Sequence, residues 1–384
     1  GHNIANVNTE GYSRQVVDLG TRPPQISDTG YIGSGVDAIA VRRKYDDYLA
    51  LRVRDYTSAY EEFSVYHERA RQIDDVIADE AAGIDGMLQK FFAAMNDVAD
   101  DPTSIEARSV LLNRATQLSD RFNALDRWFS DLRNRLSQDF EREVNEINAL
   151  AQSLVEVNAR IGSLNGLGDR IPADILDERD RLIDQLSHYT SVSAVPQNDG
   201  MINVFIGTGQ ALVLGVTRNT LSTRLDGDRL ELQLQQGSAA PVTITEQVSG
   251  GRFGGLLRFR DEILDESHNG LGRVALGLAH FFNAEHVTGM DLDGQPGGQF
   301  FSMVDQPQVL GDGNVTGAFT NVGDLTTHEY RVAYDGTNWN LTDLTTGSHL
   351  ASDSNIANLG AGLGFSLSVV NAGAVTNGDS YRIR

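Results

Sequence analysis

The 384-residue chain contains no cysteine, few basic residues and no long uncharged apolar run. The lack of cysteine excludes disulfides, thiol nucleophiles and cysteine-ligated metals. No segment approaches the ~18 uncharged apolar residues that a membrane span needs. No basic start is followed by an apolar stretch, so a cleavable secretion signal is not predicted. The chain begins with Gly1 and His2 instead of Met, which we interpret as a cloning remnant.

Basic residues are outnumbered, with 31 Lys and Arg against 53 Asp and Glu, so the formal net charge is −22. Nucleic acid and anionic membranes would be repelled by such a surface, and neither is predicted as a partner. The acidic excess is instead expected to keep an abundant protein soluble. A chain of this length has room for two or three domains, each with its own core.

Composition changes along the chain and divides it into segments. Helical periodicity extends to His188, short β-type runs with Gly turns fill Ser191–Gly251, and a helix returns between Leu256 and His286. The chain beyond Asp305 is rich in Gly, Thr, Asn and Asp. We predict a helical rod domain over 1–190 that 253–300 rejoins, a small β-rich segment over 191–252 and a β-rich outer domain over 301–384. The predicted fold class is mainly α with β domains: an elongated antiparallel bundle of long helices plus small β-rich domains.

Three of the predicted helices carry heptad stripes of apolar residues, and the shortest stripe consists of Ile84, Leu88, Phe91, Met95 and Val98. The first stripe consists of Leu49, Val53, Tyr56, Tyr60, Phe63, His67, Ala70, Ile73 and Ile77. The longer stripe consists of Leu111, Ala115, Leu118, Phe122, Leu125, Phe129, Leu132, Leu136, Phe140, Val144, Ile147, Leu150, Leu154, Val157, Ile161 and Leu164. An unbroken helix from Ile105 to Leu164 would be ~90 Å long. We expect Thr103 or Ser104 to cap it, with Glu106 placed for a capping box from Thr103.

The residues that could carry chemistry do not form a site. His280 and His286 are six apart, whereas helical metal-ligand pairs need a spacing of four. His67 occupies a predicted core position, and His188 and His268 have no partner pattern. Asp291-Leu292-Asp293-Gly294 has its Gly at the fourth position, where a calcium loop has it at the sixth. No catalytic, cofactor or metal site is predicted, and the protein is not expected to be an enzyme.

Two further patterns have ordinary structural explanations. The Gly-rich string Gly250–Gly255 lacks the Lys-Ser/Thr ending of a phosphate loop. Paired carboxylates such as Asp177-Glu178 are attributed to solvated helix faces.

Residues Asn3–Gln15, Asn-Ile-Ala-Asn-Val-Asn-Thr-Glu-Gly-Tyr-Ser-Arg-Gln, resemble the opening signature of flagellar rod, hook and first hook-associated proteins. Later stretches are similar to the family of the first hook-associated protein, FlgK. They are Tyr31–Val36, Val41–Asp46, Ile175–Leu182, Gly254–Arg260, Asn283–His286 and Gly298–Phe301. Hook and distal rod proteins are not expected to have long heptad helices, and flagellin lacks the signature. The chain is therefore identified as a member of the FlgK family.

The resemblance implies a secreted structural subunit of the extracellular flagellum, which forms an adaptor ring at the hook–filament junction. Implied partners are further copies of itself, the hook protein, the second hook-associated protein and an export chaperone that binds a C-terminal segment. The terminal helices of the family are expected to be missing here, so we expect this chain to be monomeric. Assembly contacts are assigned to Asn3, Asn6, Asn8, Gly11, Tyr12, Arg14, Gln15, Gly33, Gly35, Arg42, Arg43 and Tyr45.

Three alternatives remain open at this point. The chain could be another axial protein, namely the second junction protein or a flagellin relative, although the opening signature favours neither. It could be a secreted adhesin that binds host surfaces through its β domain. An enzyme inserted in the β region is disfavoured because no constellation of His, Glu or Ser converges there.

Overall fold

The computed structural model describes residues 2–27, 30–79, 83–164, 171–304 and 306–384, so Gly1 lies outside it. The helices are α1 (His2–Ala5), α2 (Asp47–Ile77), α3 (Asp85–Asp100), α4 (Ile105–Ser163), α5 (Ala173–Tyr189), α6 (Gly251–Phe259) and α7 (Asp265–His286). Among these described helices none is both long and apolar enough to cross a membrane. Long helices and antiparallel sheets together confirm the predicted class, mainly α with β domains.

Helix α4 confirms the longer heptad stripe. Every predicted position is buried except Phe122, Leu150 and Leu164, which are half-buried. The helix begins after Ser104, whose hydroxyl accepts from the backbone N–H of Ala107 at 3.1 Å. The capping box predicted from Thr103 is wrong, because the Thr103 side chain instead donates to Asp101.

The chain divides into two compact units, each described here by itself. The first comprises Gly1–Tyr66, Asp139–Arg224 and Leu230–Leu256. Its strands are β1 (Gln15–Thr21), β2 (Gln25–Ser27), β3 (Gly30–Ile32), β4 (Val36–Arg43), β5 (Val192–Pro196), β6 (Ile202–Ile206), β7 (Gln210–Leu214), β8 (Thr217–Arg218), β9 (Thr220–Asp226), β10 (Arg229–Gln235) and β11 (Val242–Thr243), of which β9 and β10 have their turn residues in the second unit. They form the sheets β1-β4, β2-β3, β5-β6-β7-β8 and β11-β10-β9.

The second unit comprises His67–Gln138, Leu225–Arg229 and Leu257–Arg384. Phe91 of α3 packs with Phe282 of α7 and with Phe301, with ring centroids 5.5 and 5.8 Å apart. In this unit α7 therefore packs against α3, and the predicted return of 253–300 to the bundle stays a prediction. The predicted division into 1–190, 191–252 and 301–384 stays a prediction.

The second unit also contains two antiparallel sheets, β12-β18-β14-β15-β16 and β13-β17. Their strands are β12 (Val309–Leu310), β13 (Val315–Phe319), β14 (Tyr330–Tyr334), β15 (Trp339–Asp343), β16 (His349–Asp353), β17 (Phe365–Val369) and β18 (Ser380–Ile383). The two sheets enclose a core of their own, centred on Val332, Leu341 and Leu367.

The helix predicted between Leu256 and His286 differs from expectation in two ways. It starts earlier, at Gly251, and a π-helical turn over Arg260–Leu264 separates α6 from α7. A π-turn inserts one residue without ending the helix, so the apolar stripe continues beyond it with its phase shifted by one residue. The sequence analysis did not identify this shift.

The first heptad stripe is the main correction. Helix α2 forms as predicted, but Leu49, Val53 and Phe63 are 60%, 54% and 58% exposed, and His67 is exposed as well. Of the nine predicted positions Ile73 alone is fully buried. The opposite, polar face of α2 packs inward instead. Glycines at the start of α6 allow the backbones of the two helices to approach closely, since a Cβ on Gly255 would lie 2.5 Å from the carbonyl oxygen of Glu62.

Candidate assembly surface

The opening signature folds into a closed loop that Asn3 holds together. The Asn3 Nδ2 donates to the carbonyl of Gln15 at 2.9 Å. Its Oδ1 accepts from the Tyr12 hydroxyl and from the Gln15 backbone N–H, both at 2.9 Å. Only an amide offers a donor and an acceptor in this geometry. Asn3, Tyr12 and Gln15, three of the predicted contact residues, thus fix the loop from within.

Inside this loop the chain reverses direction just after α1. The Asn6 Nδ2 donates to the carbonyl of His2, and its Oδ1 accepts from Thr9. Gly11 has φ +78°, and a Cβ there would lie 3.3 Å from the Cβ of Arg181. A larger residue would therefore meet both backbone strain and a close neighbour. Asn6 and Gly11 determine the path of the turn.

Arg43 anchors the end of β4 to α5. Its Nη1 lies 3.2 Å from Asp177 Oδ1 and 2.5 Å from Asp180 Oδ2, and its guanidinium lies 4.2 Å from the Tyr45 ring centroid. Asp177 also accepts from the backbone N–H of Ser13 at 3.0 Å. Both carboxylates are nearly buried, so the pairing compensates the cost of taking three charges out of water. The two ends of the segment 13–43 are thereby tied to one helix.

Tyr45 and Arg54 extend this anchor to α2. The Tyr45 hydroxyl accepts from Arg54 Nη2 at 3.0 Å, and Arg54 Nε donates to Asp184 at 2.6 Å. Burial raises the pKa of Tyr45, and the charge of Asp180 adds to the increase. Tyr45 therefore stays a neutral hydrogen-bonding group at physiological pH.

Sequence reasoning missed the acidic side of this anchor. It attributed Asp177 to a solvated face, and that interpretation is wrong, because the side chain is only 9% exposed and binds Arg43. A signal was present in the spacing: Asp177, Asp180 and Asp184 recur at intervals of three and four and share one face of α5.

The other predicted contact residues lie at the surface. Asn8 and Arg14 are exposed. Gly33 and Gly35 precede β4, and Gly35 has φ +86° and accepts through its carbonyl from the Arg22 N–H. Arg42 forms an exposed ion pair with Asp18 at 2.8 Å. The twelve predicted residues thus separate into an internally bonded group around Asn3 and Arg43 and a solvent-facing group on the loop and the β1–β4 hairpin.

The β1–β4 hairpin exposes apolar side chains on a two-stranded sheet. Val17 pairs with Val41, and they are 49% and 53% exposed; Leu19 and Val36 are also exposed. A two-stranded sheet in water is marginally stable unless another surface covers it. From Arg14 to Arg54 the chain has seven basic and five acidic residues, although the whole chain carries −22. The hairpin region is therefore apolar and locally basic within an acidic molecule.

The exposed stripe of α2 lies in the same unit. Leu49, Val53, Tyr56, Tyr60 and Phe63 fall on one face at steps of four and three, and each is more than half exposed. Contiguous apolar surface of this extent on a monomer usually marks an interaction site. Its heptad spacing is the pattern that another α-helix recognises.

The described residues contain no cluster of three or more His, Asp or Glu side chains that could hold a metal ion. Several of the histidines in that part of the chain have a polar partner. His188 contacts Glu61, His268 contacts Asp126, His286 contacts the carbonyl of Gly298, and His328 contacts Asp343. Each of these contacts joins neighbouring segments of the fold.

The long heptad helix, the antiparallel sheets and the exposed helical and hairpin surfaces are typical of a protein that assembles with other protein subunits. A family model described as the flagellar hook-associated protein FlgK helical domain matches residues 70–301. A second, flagellar hook-associated protein 1, D2-like domain, matches residues 309–384. The chain therefore belongs to the FlgK family of flagellar hook-associated proteins.

Individual relatives agree with this assignment. Flagellar hook-associated protein 1 of Salmonella typhimurium is 30% identical over 353 residues, which are 89% of this chain and 64% of that protein. The Escherichia coli K12 protein of the same name is 27% identical over 90% of this chain and 65% of its own length. The solved flagellar hook junction protein FlgK from Burkholderia pseudomallei superposes with a TM-score of 0.77 at 25% identity, covering 87% of this chain and 62% of that one. The chain thus spans somewhat less than two thirds of these relatives.

Proposed function

We propose that the full-length protein is a structural, non-enzymatic subunit of the extracellular flagellum, which forms the adaptor ring between hook and filament. The observation that carries this proposal is the match of the helical family model over 70–301. The names of the relatives, hook-associated and hook junction proteins, support the location. The partners we propose are neighbouring copies in the ring, the hook protein on one side and the second hook-associated protein on the other.

Two surfaces of the first unit supply the assembly contacts in this proposal. They are the exposed α2 stripe, defined as Leu49, Val53, Tyr56, Tyr60 and Phe63, and the apolar face of the β1–β4 hairpin. Exposed contact residues would bind neighbours directly, whereas Asn3, Tyr12 and Arg43 would act by holding the hairpin in position. A ring needs two different complementary patches on each subunit, and two separate surfaces meet that requirement.

Immunogold electron microscopy of the parent bacterium tests the location. An antibody raised against residues 306–384 should label a single site per flagellum, where the hook meets the filament. Labelling along the whole filament would indicate a flagellin-type protein, and labelling of the cell body would favour the adhesin alternative.

Surface variants in the full-length protein test the contacts. Tyr56→Ser with Tyr60→Ser should fold and be exported, yet leave most hooks without filaments. The matched control, Asp55→Ser with Glu68→Ser, changes two exposed residues of the same helix that lie off the stripe and should retain filaments. Normal filament number with the first pair would remove the α2 stripe from the proposal without affecting the junction assignment.

A further inference from the structure

A group of eight charged side chains joins the β sheets of residues 309–384 to the helices of the same unit. The basic members are Arg133, Arg229, Arg382 and Arg384, and the acidic members are Asp228, Asp261, Asp265 and Glu329. They come from α4, from the turn between β9 and β10, from the π-turn and the start of α7, and from the β14 and β18 region. The formal charges of the group cancel.

On the helical side the centre of the group is Asp265. Its Oδ1 lies 2.9 Å from Arg133 Nη2, and its Oδ2 lies 3.4 Å from Arg229 Nη1. Arg229 also pairs with Asp261 of the π-turn. Asp261 and Asp265 lie near the two ends of the π-turn. The Arg229 guanidinium pairs with both of their carboxylates, and this pairing helps to stabilise the π-helical geometry.

On the β side the centre is Glu329, whose side chain is 6% exposed. Its Oε2 lies 3.7 Å from Arg229 Nη1 and 3.9 Å from Arg382 Nε. Arg384 Nη1 lies 2.5 Å from Asp228, which in turn lies 3.1 Å from Arg133 Nη1. Arg229 therefore connects helical residues with the β side directly, through Glu329. Arg133 makes the same connection through the carboxylate of Asp228, which pairs with Arg384.

The apolar cores on the two sides are separate. The β core draws all its residues from Val309–Ile383, and the core around Phe91 draws its residues from α3, α4, α7 and Phe300–Phe301. Between the two sides Asn269 Nδ2 also donates to the carbonyl of Thr327 at 3.0 Å, and Leu310 lies beside the turn at Gly227. The charged group thus links two parts of the unit whose apolar clusters are distinct.

We propose that these eight charges form an orientational lock, which holds the β domain of residues 306–384 at one angle to α4 and α7 and can open without unfolding either core. Apolar surfaces tolerate sliding, whereas a buried guanidinium is satisfied only where its carboxylates lie. Buried ion pairs contribute little net stability compared with apolar packing, but removal of one partner leaves an uncompensated charge. Such a joint fixes an angle firmly when complete and releases it when one member is lost.

The absence of cysteine makes this directly measurable. Spin labels are placed on the 384-residue chain at Asp120→Cys in α4 and Ser354→Cys in the β domain, both exposed positions. Double electron–electron resonance should give one narrow distance distribution. Asp265→Asn should broaden it about twofold, because Arg133 and Arg229 lose their shared partner. The helical circular dichroism should persist.

The matched control is Asp126→Asn, which makes the same chemical change on α4 but removes only the contact to His268. It should leave the distribution narrow. If the Asp265→Asn protein loses helical circular dichroism, the isosteric Glu329→Gln substitution tests the same lock from the β domain. Glu329→Gln should also broaden the distance distribution. A folded Asp265→Asn or Glu329→Gln protein with the unmodified distribution would overturn the lock, as would equal broadening by Asp126→Asn.

Discussion

Single amide side chains on α4 hold β strands by hydrogen bonds to their backbone. Asn158 is fully buried: its Nδ2 donates to the carbonyls of Ile202 and Gly215 at 2.8 and 2.7 Å, and its Oδ1 accepts from the Ile202 N–H at 3.1 Å. Asn148, nearer the start of the same helix, makes a reciprocal pair of hydrogen bonds with the backbone carbonyl and N–H of Leu221. Heptad positions thus supply the apolar packing, and these amides fix the strand register.

Asn158→Ala should lower the free energy of unfolding by about 3 kcal/mol, because buried backbone donors and acceptors lose their partners. Urea denaturation followed by circular dichroism measures the change. Asn113→Ala, at an exposed position of the same helix, should stay within about 0.5 kcal/mol of the unmodified protein. Equal midpoints for the two variants would show that the amide is dispensable.

His268 should make stability depend on pH. Burial lowers its pKa, with Arg133 and Arg384 adding to the decrease and the Asp126 contact opposing it. Because the folded pKa lies below the ordinary 6.5, the unfolded chain takes up the proton first as the pH falls. The contribution is therefore complete above pH 6.5 and is lost as the pH falls from there towards the folded pKa.

His268→Gln should flatten this dependence. The measurement is the melting temperature between about pH 5 and 8, compared between variant and unmodified protein at each pH. The difference between the two curves should change across the region below pH 6.5. Parallel curves would assign the acid sensitivity to other groups.

At the scale of elements, glycine permits the close crossing of α2 and α6. A Cβ on Gly255 would lie 2.5 Å from the Glu62 carbonyl oxygen and 3.0 Å from the Val65 Cβ. Gly255→Ala should therefore destabilise the protein by about 2 kcal/mol or more, as overpacking does. Gly277→Ala on α7 meets nothing within 4 Å and should stabilise by up to about 1 kcal/mol through helix propensity. Thermal unfolding should shift in opposite directions for the two variants; shifts of the same sign would contradict the close-contact explanation.

The exposed α2 stripe should tolerate polar substitution in this chain. Tyr60 is 70% exposed, whereas Ile73 on the same helix is 3% exposed. Tyr60→Ser should change the unfolding free energy by less than about 0.5 kcal/mol. Ile73→Ala should cost about 2–4 kcal/mol. Chemical denaturation of both variants checks this, and a large loss for Tyr60→Ser would show that the stripe is covered within the chain itself.

The comparison of α2 with α4 shows what the sequence could predict about the fold. Both stripes indicated helices, and both helices are present; α4 extends over Ile105–Ser163, close to the predicted Ile105–Leu164. The periodicity of the sequence predicts that a helix has an apolar face. Whether another element packs on that face depends on the tertiary structure. On α2 the small side chain of Ser58 and the glycines of α6 determine which face packs inward.

The candidate site was predictable to a similar degree. The resemblance pointed to the segments Asn3–Gln15 and Tyr31–Asp46, whose assembly contacts stay a prediction. The anchoring role of Asp177 and Asp180 depends instead on α5, more than 130 residues later in the chain than Arg43. A contact over such a separation leaves no local pattern. The π-turn at Arg260–Leu264 was unpredictable for a related reason, since its stabilising partner Arg229 belongs to another element.

At the scale of the whole molecule, the exposed apolar surfaces and the β core belong to different units. The first unit presents the exposed α2 stripe and the apolar face of the β1–β4 hairpin, and the β domain of 306–384 in the second unit has a core of its own. In the proposed junction function, a subunit needs surfaces that bind its neighbours and a β domain held in one orientation. The exposed surfaces of the first unit and the proposed charged lock of the second unit would supply these two properties.

The measurement that tests the central proposal most directly is deletion of the full-length parent gene, followed by complementation. Electron microscopy of the deletion strain should show bare hooks, with flagellin released into the medium, and the restored gene should bring back filaments and swimming. Normal filaments and motility in the deletion strain would contradict the junction function and make the adhesin alternative the leading hypothesis.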